Sequence, residues 1–428
     1  MFIAQLAIAG LGVVDTIMSG QVGTNDLAAI GLGSSILFPI MMLAVGILFM
    51  LNPLVAKLLG SNNKVQIARY LTQAFWLAIP LGVLMFVLLA NSNVVLDLLP
   101  LTPPVYQLTD DYLFYIAFGL PGLGLFFVAR FFWEGLGLIL PTMLISLFAL
   151  LINIPLNAVF IYGWGSVEAY GAAGCGIAST IVMWLMFFIA IGYAFQSKKV
   201  SPFFKIILKQ PVKELLPKWK NGIKELLSLG VPNTLALLFE VSLFSLVALF
   251  IAKLGTEVIA AQQVVVSVTS ILFMLPLSIS LALTFRVGEA FGNKNKQEIL
   301  IRAYTGVGLA AFVSIFTAII IYLLRADIPL LFSEDIAVIS IAITLLGIAA
   351  LYQLFDAVQV ATAGVLRGLH NTQATMWVTF VCYWGIGLGG GYLLSFGNLF
   401  TEEPLGVIGF WVAIVIGFAL AAILLQLK

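Results

Sequence analysis

The sequence predicts an all-α membrane protein of twelve transmembrane helices arranged as two pseudo-symmetric six-helix bundles. Three observations carry this expectation. Hydrophobic residues make up 62% of the chain and charged residues 9%, with a mean hydropathy of +1.14, whereas roughly a quarter of the residues of soluble domains are charged. Apolar runs long enough to cross about 30 Å of hydrocarbon recur along the whole length. Short motifs of the first half return in the second at a nearly constant offset, the mark of a duplication.

In chain order, the spans fall near residues 2–18, 27–52, 70–90, 112–131, 140–162, 173–195, 226–252, 258–284, 301–324, 338–366, 375–396 and 405–426. Lysine and arginine in the connections then set the orientation. With both termini cytoplasmic, the inner side holds Lys57, Lys64, Arg69, Arg130, Arg286, Lys294, Lys296, Arg302, Arg367 and Lys428. It also holds the run Lys198, Lys199, Lys205, Lys209, Lys213, Lys218, Lys220 and Lys224. Only Lys253 and Arg325 fall outside, a one-sided positive-inside bias. That basic run is the longest polar interruption of the chain, so the expected division is an N-terminal bundle over 1–197, a cytoplasmic linker over 198–225 and a C-terminal bundle over 226–428. The linker reads as a solvated, topology-setting loop, with a helix lying on anionic headgroups as the other reading.

The duplication is explicit in the residues. Gly23-Thr24 with Leu27-Ala28-Ala29 returns as Gly255-Thr256 with Ile259-Ala260-Ala261, and Gly60 to Lys64 (GSNNK) returns as Gly292 to Lys296 (GNKNK), both at offset 232. Gly135-Leu136 and Thr142-Met143 return as Gly368-Leu369 and Thr375-Met376 at 233, and Gly171 and Gly174 as Gly406 and Gly409 at 235. Six spans per half give the halves one orientation, related by an axis along the membrane normal. At offset 232 Met1 pairs with Asn233, so the first half lacks a counterpart of Lys224 to Pro232. The expectation is a truncated or late-assigned start; no cleavable signal peptide is evident at Met1.

Several function classes are excluded or disfavoured. A net charge of +1 gives no footprint for nucleic acid. Cys175 and Cys382 lie in apolar runs and read as small buried hydrophobes rather than as a disulfide or metal site. The single histidine, His370, has no HExxH pattern around it, and no P-loop occurs, so neither a metalloprotease nor self-energised ATP-driven transport is supported. The expectation is therefore no enzyme and no cofactor.

Of 19 acidic residues, only Asp15, Glu240 and Asp356 are placed inside spans; the others fall in loops or at helix ends. An intramembrane carboxylate costs about 2.5–3.5 kcal/mol on insertion scales, so it stands by default as a functional hypothesis. Tyr352, Asp356 and Gln359 share one helix face at i, i+4 and i+7. Glu240 shares a face with Asn233, Leu237 and Phe244, behind Pro232, and Gln263, Ser267 and Ser270 form a polar stripe on the next helix. Together they would line one wet cavity; Ser and Gln as interhelical glue is the plainer alternative. Asp15, with Ser19 one turn on, belongs to the first half near the outer end of its span; in the same half Asn153 and Asn157 lie at i and i+4 around Pro155, where a kink frees backbone carbonyls for a second polar pocket. Such acids either exchange a proton or, with nearby amide and hydroxyl oxygens, hold a hard cation such as Na⁺.

The stretches VDTIMSG around Asp15, NIPLNAVFIYG from Asn153, FEVSLF around Glu240, LYQLFDAVQVATAGVLRG from Leu351 and EPLGVIGFW from Glu403 closely resemble the NorM-type branch of the multidrug and toxic compound extrusion (MATE) family. The resemblance covers essentially the whole chain. It implies a V-shaped MATE transporter fold in a bacterial inner membrane, a monomer exporting small cationic amphipathic compounds in exchange for Na⁺ or H⁺ by alternating access. It further implies that Glu240 and Asp356 form the cation site of the C-terminal bundle, a Na⁺ site where that is the coupling ion, with Tyr352 and Phe273 nearby. By the same resemblance Asp15 is the N-terminal carboxylate of coupling and drug binding, beside Asn153 and Asn157. The alternative function is a flippase for lipid-linked saccharides; phosphate-bearing cargo calls for intramembrane Lys or Arg, and the sequence places every basic residue in a loop or at a span end. A passive channel would leave the duplication and the off-axis acids unexplained.

Overall fold

A computed structural model describes residues 1–99, 101–397 and 404–428 of the chain. Glu403, at the head of the EPLGVIGFW stretch, lies outside the described residues. The helices in order are α1 (Phe2–Gly20), α2 (Thr24–Leu48), α3 (Leu51–Gly60), α4 (Lys64–Ala90), the short α5 (Asn93–Leu96), α6 (Pro103–Ala117), α7 (Leu120–Gly135), α8 (Leu140–Tyr162) and α9 (Ala172–Gln196). They continue with α10 (Ser201–Lys209), the short α11 (Val212–Leu215), α12 (Ile223–Ile251), α13 (Thr256–Gly292), α14 (Lys296–Leu324), α15 (Ile336–Gly368) and α16 (Thr372–Thr379). A π-helical stretch over Phe380–Gly390, α17 (Gly391–Phe396) and α18 (Val407–Gln426) complete the chain. Among the described residues, eleven helices are long and apolar enough to cross a membrane, or twelve spans when α6 and α7 count as one.

Proline explains where the helices depart from simple spans. The fourth span is not one straight helix: α6 and α7 meet at 47°. Pro121 lacks an N–H and crowds the carbonyl four residues back, that of Ala117, which is where α6 ends. In the same way Pro53 lies four residues after Phe49, in the break between α2 and α3. The eleventh span changes to π geometry over FVCYWGIGLGG, where four glycines leave the widened turn with few side chains to crowd.

The repeat reappears in the backbone. Asn62 and Lys294 both take positive φ, 54° and 56°, and the next residues, Asn63 and Asn295, cap α4 and α14 by accepting from the amides of Gln66 and Glu298, each at 3.1 Å. Gly171 and Gly406 both start their helices at φ 56–57°, a conformation that favours glycine.

The chain divides into two compact units, Met1–Thr234 and Leu235–Lys428, so the division falls inside α12 rather than in the linker. In the first unit α8 packs on α1 and α9, α7 on α3, α4 and α9, and α6 on α2 and α9. The opening turns of α12 belong here, where Asn233 donates to the Gly46 carbonyl at 2.9 Å. In the second unit α15 is central, against α13, α14 and α18. Its core is aromatic: Tyr383, Phe410, Trp411 and Phe418 are fully buried. Gly364 lets α15 meet α13 at backbone distance, since a Cβ there would stand 2.5 Å from the Ser280 carbonyl oxygen. Close packing of this kind, rather than water exclusion, holds helices together in lipid.

Candidate functional site

The second unit builds its site on the middle of α15. Asp356 is fully buried, and neither carboxylate oxygen has a hydrogen bond of normal geometry among the described residues, the Tyr352 hydroxyl being the side-chain donor within reach of it. One turn earlier Tyr352 is wedged among aromatic rings, with centroids 5.0 Å from Phe418, 6.0 Å from Trp411 and 6.2 Å from Phe244. Three residues later Gln359 is buried with its amide oxygen unbonded. Glu240, half-buried on α12, lies within electrostatic reach of Asp356 and also of Arg367, on the last turn of α15. A buried carboxylate with a second acid in electrostatic reach and neutral oxygens on its own helix is suited to taking up a proton or a hard cation. Among the described residues no group of three or more His, Cys, Asp or Glu is placed to hold a metal ion, so any cation here would rest on one or two carboxylates and neutral oxygens.

The polar stripe of the eighth span stays out of the packed interior. Gln263 and Ser270 are exposed, and Ser267 bonds back to the Gln263 carbonyl at 2.8 Å. The buried glutamine is its neighbour Gln262, whose amide oxygen accepts from Trp411 Nε1 at 2.6 Å. Phe273 is half-buried.

The first unit assembles the other pocket around Asp15 on α1. Asp15 is buried and accepts from Asn157 Nδ2 at 2.7 Å and from Ser179 Oγ at 3.0 Å. The same Asn157 nitrogen also donates to Asn153 Oδ1 at 3.1 Å. Pro155 sits between the two asparagines inside α8. Ser19, one turn beyond Asp15, is fully buried with its hydroxyl unbonded. The Tyr162 hydroxyl, donating to the Met18 carbonyl at 2.8 Å, pins the end of α1 to the end of α8.

Comparison with known proteins agrees with this architecture. The MatE family pattern matches residues 1–159 and 232–393. The chain belongs to the MATE family. It is similar to a protein named Multidrug resistance protein MdtK of Yersinia pseudotuberculosis serotype O:1b (strain IP 31758), 39% identical over 427 residues, covering 100% of this chain and 92% of the relative. The protein of the same name from Yersinia enterocolitica serotype O:8 / biotype 1B (strain NCTC 13174 / 8081) matches to the same extent. Among solved structures, that of the eukaryotic MATE transporter AtDTX14 superposes with a TM-score of 0.84 at 22% identity, covering 100% of this chain and 92% of that one. An outward-facing multidrug resistance MATE family transporter gives 0.87 at 20% identity, covering 99% and 91%. At such identities these likenesses speak to the fold.

This MATE chain also buries charges that hydropathy alone assigned to the inner connections. Arg130 and Glu134 on α7 form an ion pair at 2.9 Å with side chains 8% and 3% exposed. Arg130 reaches Gln5 on α1 at 3.1 Å, and Glu134 accepts from Thr142 at 3.1 Å, which in turn accepts from Trp133 Nε1 at 2.7 Å. Arg367 is buried as well and donates to Ser280 Oγ at 2.6 Å. The buried ionisable groups are therefore not acidic alone: Arg130 and Arg367 do sit near helix ends, but packing covers them. The i, i+4 spacing of Arg130 and Glu134 was the available signal. Ser179, 164 residues from Asp15, had none.

Proposed function

We propose that the chain is a multidrug exporter of a bacterial inner membrane, with both termini cytoplasmic, which expels small cationic amphipathic compounds in exchange for Na⁺ or H⁺ by alternating access. It works as a transporter, not as an enzyme, and needs no cofactor beyond the coupling ion. The relatives named for multidrug resistance support the efflux reading. The observation that carries the coupling is Asp356, fully buried with both oxygens unbonded and Glu240 within electrostatic reach. In this reading Glu240 and Asp356 take the coupling ion beside Tyr352, with Phe273 and Gln359 lining the approach; Asp15, Asn153 and Asn157 serve substrate and coupling in the other unit, and Gln263 lines the cavity.

Antiport then follows from differential affinity. The ion must favour one state of the protein and the drug the other, since a ligand binding both equally shifts nothing. Inward movement of a cation releases about 2.3 kcal/mol per charge per 100 mV. Carboxylates among aromatic faces select lipophilic cations as cargo.

The test is ethidium efflux in proteoliposomes under a Na⁺ gradient or an H⁺ gradient, each imposed alone. Wild type responds to one of them; Asp356→Asn and Glu240→Gln reconstitute and melt normally but lose gradient-driven efflux. Wild-type drug gradients sustained by either variant would overturn the assignment. Rescue of a saccharide-flipping defect, with no ethidium efflux, would replace it by the flippase reading.

A further inference from the structure

The basic linker is not a free loop. It leaves α9, a helix long and apolar enough to cross a membrane, and α10 begins after only four intervening residues, so the chain stays at the bilayer surface. Phe203 of α10 is buried against Phe132, with ring centroids 5.5 Å apart, and α10 packs on α4 and α9. Beyond α10, three α4 side chains at i, i+4 and i+7 fasten the chain. Arg69 bonds Glu214 at 3.2 Å. Gln73 donates to the Leu216 carbonyl at 3.1 Å and accepts from the Lys218 amide at 2.7 Å. Trp76 Nε1 donates to the Leu215 carbonyl at 2.6 Å.

What remains outward is a face of alternating character. Lys205, Leu208 and Lys209 follow at i, i+3 and i+4 on α10, with Leu208 75% exposed; then come exposed Lys213, Trp219 at 60%, and exposed Lys220. Of the eight linker lysines, seven are exposed; Lys218 alone has an ion pair among the described residues, with Glu214 at 2.8 Å. Both linker acids are engaged, Glu214 by Arg69 and Lys218, and Glu225 by the Tyr70 hydroxyl. Exposed leucine and tryptophan set between uncompensated lysines fit a headgroup layer, where apolar side chains insert and ammonium groups reach phosphates.

We propose that the outward face of α10 and of the segment through Lys220 is a docking surface for anionic phospholipid headgroups. The proposal does not depend on which ion or drug is transported. The full chain is placed in phosphatidylcholine nanodiscs containing spin-labelled phosphatidylglycerol or, separately, spin-labelled phosphatidylcholine. Trp219 quenching is read as the difference between wild type and Trp219→Phe. The expected result is stronger quenching by the anionic label, weakening as salt is raised. In K205Q/K209Q/K213Q/K220Q the preference falls at least about five-fold, the effect expected of a single lysine at an anionic surface. Equal quenching of wild type by the two labels overturns the proposal, whether or not the quadruple variant reconstitutes, and so does an undiminished preference in that variant. Loss of the preference on adding millimolar inorganic phosphate at constant ionic strength would mean that the surface binds the free ion, and overturns it too.

Discussion

Replacing Glu134 by glutamine isolates one buried charge without altering shape. Its ion pair with Arg130 has almost no access to water, with side chains 3% and 8% exposed, and the 2.9 Å bond is supported by Thr142 and Gln5. Removing one partner of such a pair strands the other charge and costs about 3–5 kcal/mol. For a unit of the size of Met1–Thr234, each kcal/mol moves the melting temperature by about 2–4 °C, so the expected drop is about 6–20 °C. The double change Arg130→Met with Glu134→Leu removes both charges and should melt close to wild type. The two cysteines make the assay local: both are buried, Cys175 in the first unit and Cys382 in the second. With a thiol-reactive dye, a Cys382→Ala background reports the first unit and a Cys175→Ala background the second. Glu134→Gln should lower the Cys175 transition more than the Cys382 transition. A Glu134→Gln protein melting with wild type, or a double variant melting as low as the single one, would refute the reasoning.

Gly364→Val should lower the Cys382-reported transition, because its Cβ would stand 2.5 Å from both the carbonyl oxygen and Oγ of Ser280; overpacking of this kind costs about 1–3 kcal/mol. Gly308→Ala on α14, where nothing lies within 4 Å of the new Cβ, should leave the melt unchanged or raise it, by up to about 1 kcal/mol of helix propensity. Asn157→Ala removes a donor to the Asp15 carboxylate and should cost the first unit about 1.5–3 kcal/mol, read through Cys175. The hydrogen bond and charge of Lys218, with Arg69 adding to them, hold the Glu214 carboxyl below its ordinary range. Since the docked pKa is depressed, the attachment of the linker to α4 is at full strength above the ordinary carboxylate pKa and weakens as pH falls through the depressed value. Limited proteolysis at Lys209 and Lys213 should therefore be constant through neutral pH and accelerate only in acid, and Glu214→Gln should abolish that acid response.

Hydropathy made the spans legible because lipid demands continuous apolar helices, and the repeat made the turns before α4 and α14 legible because the same asparagine caps recur at 63 and 295. The bend at Ala117 was written in Pro121 but hidden by an unbroken apolar run. The π-helical stretch was hidden likewise, since one extra residue per turn leaves a uniformly apolar segment looking the same. Of the site, Asp15, Asn153 and Asn157 do meet in one hydrogen-bonded cluster, and the acids of α12 and α15 come within electrostatic reach. Gln262 is buried in the helix packing while Gln263 is exposed, because adjacent helical residues point about 100° apart. Ser179 could not be read at all, because a small hydroxyl in a Gly- and Ala-rich helix has no periodicity of its own.

The duplication sharpens what the buried charges mean. At offset 233 Asp356 pairs with Leu123, and Arg367 pairs with Glu134, so equivalent positions carry opposite signs. In the first unit Glu134 is neutralised within its own helix by Arg130. The equivalent of Arg130 is Ala363, so Arg367 has no acid one turn away on α15. It turns instead to Ser280 on α13 and to the field of Glu240 on α12. The first unit thus keeps both charges of its pair on α7, with Gln5 of α1 and Thr142 of α8 bonded to them from the neighbouring helices. A charge balanced between helices changes its energy whenever they shift, and the unbonded Asp356 stands on the same helix, about 16 Å from Arg367 at 1.5 Å per residue. A cation taken up by Glu240 would therefore change the field felt by Arg367 on another helix, whereas Arg130 and Glu134 face each other on α7 itself. The duplicated scaffold thus places an acid in one unit and a base in the other at equivalent positions, the acid paired on its own helix and the base bonded to Ser280 of a neighbouring one.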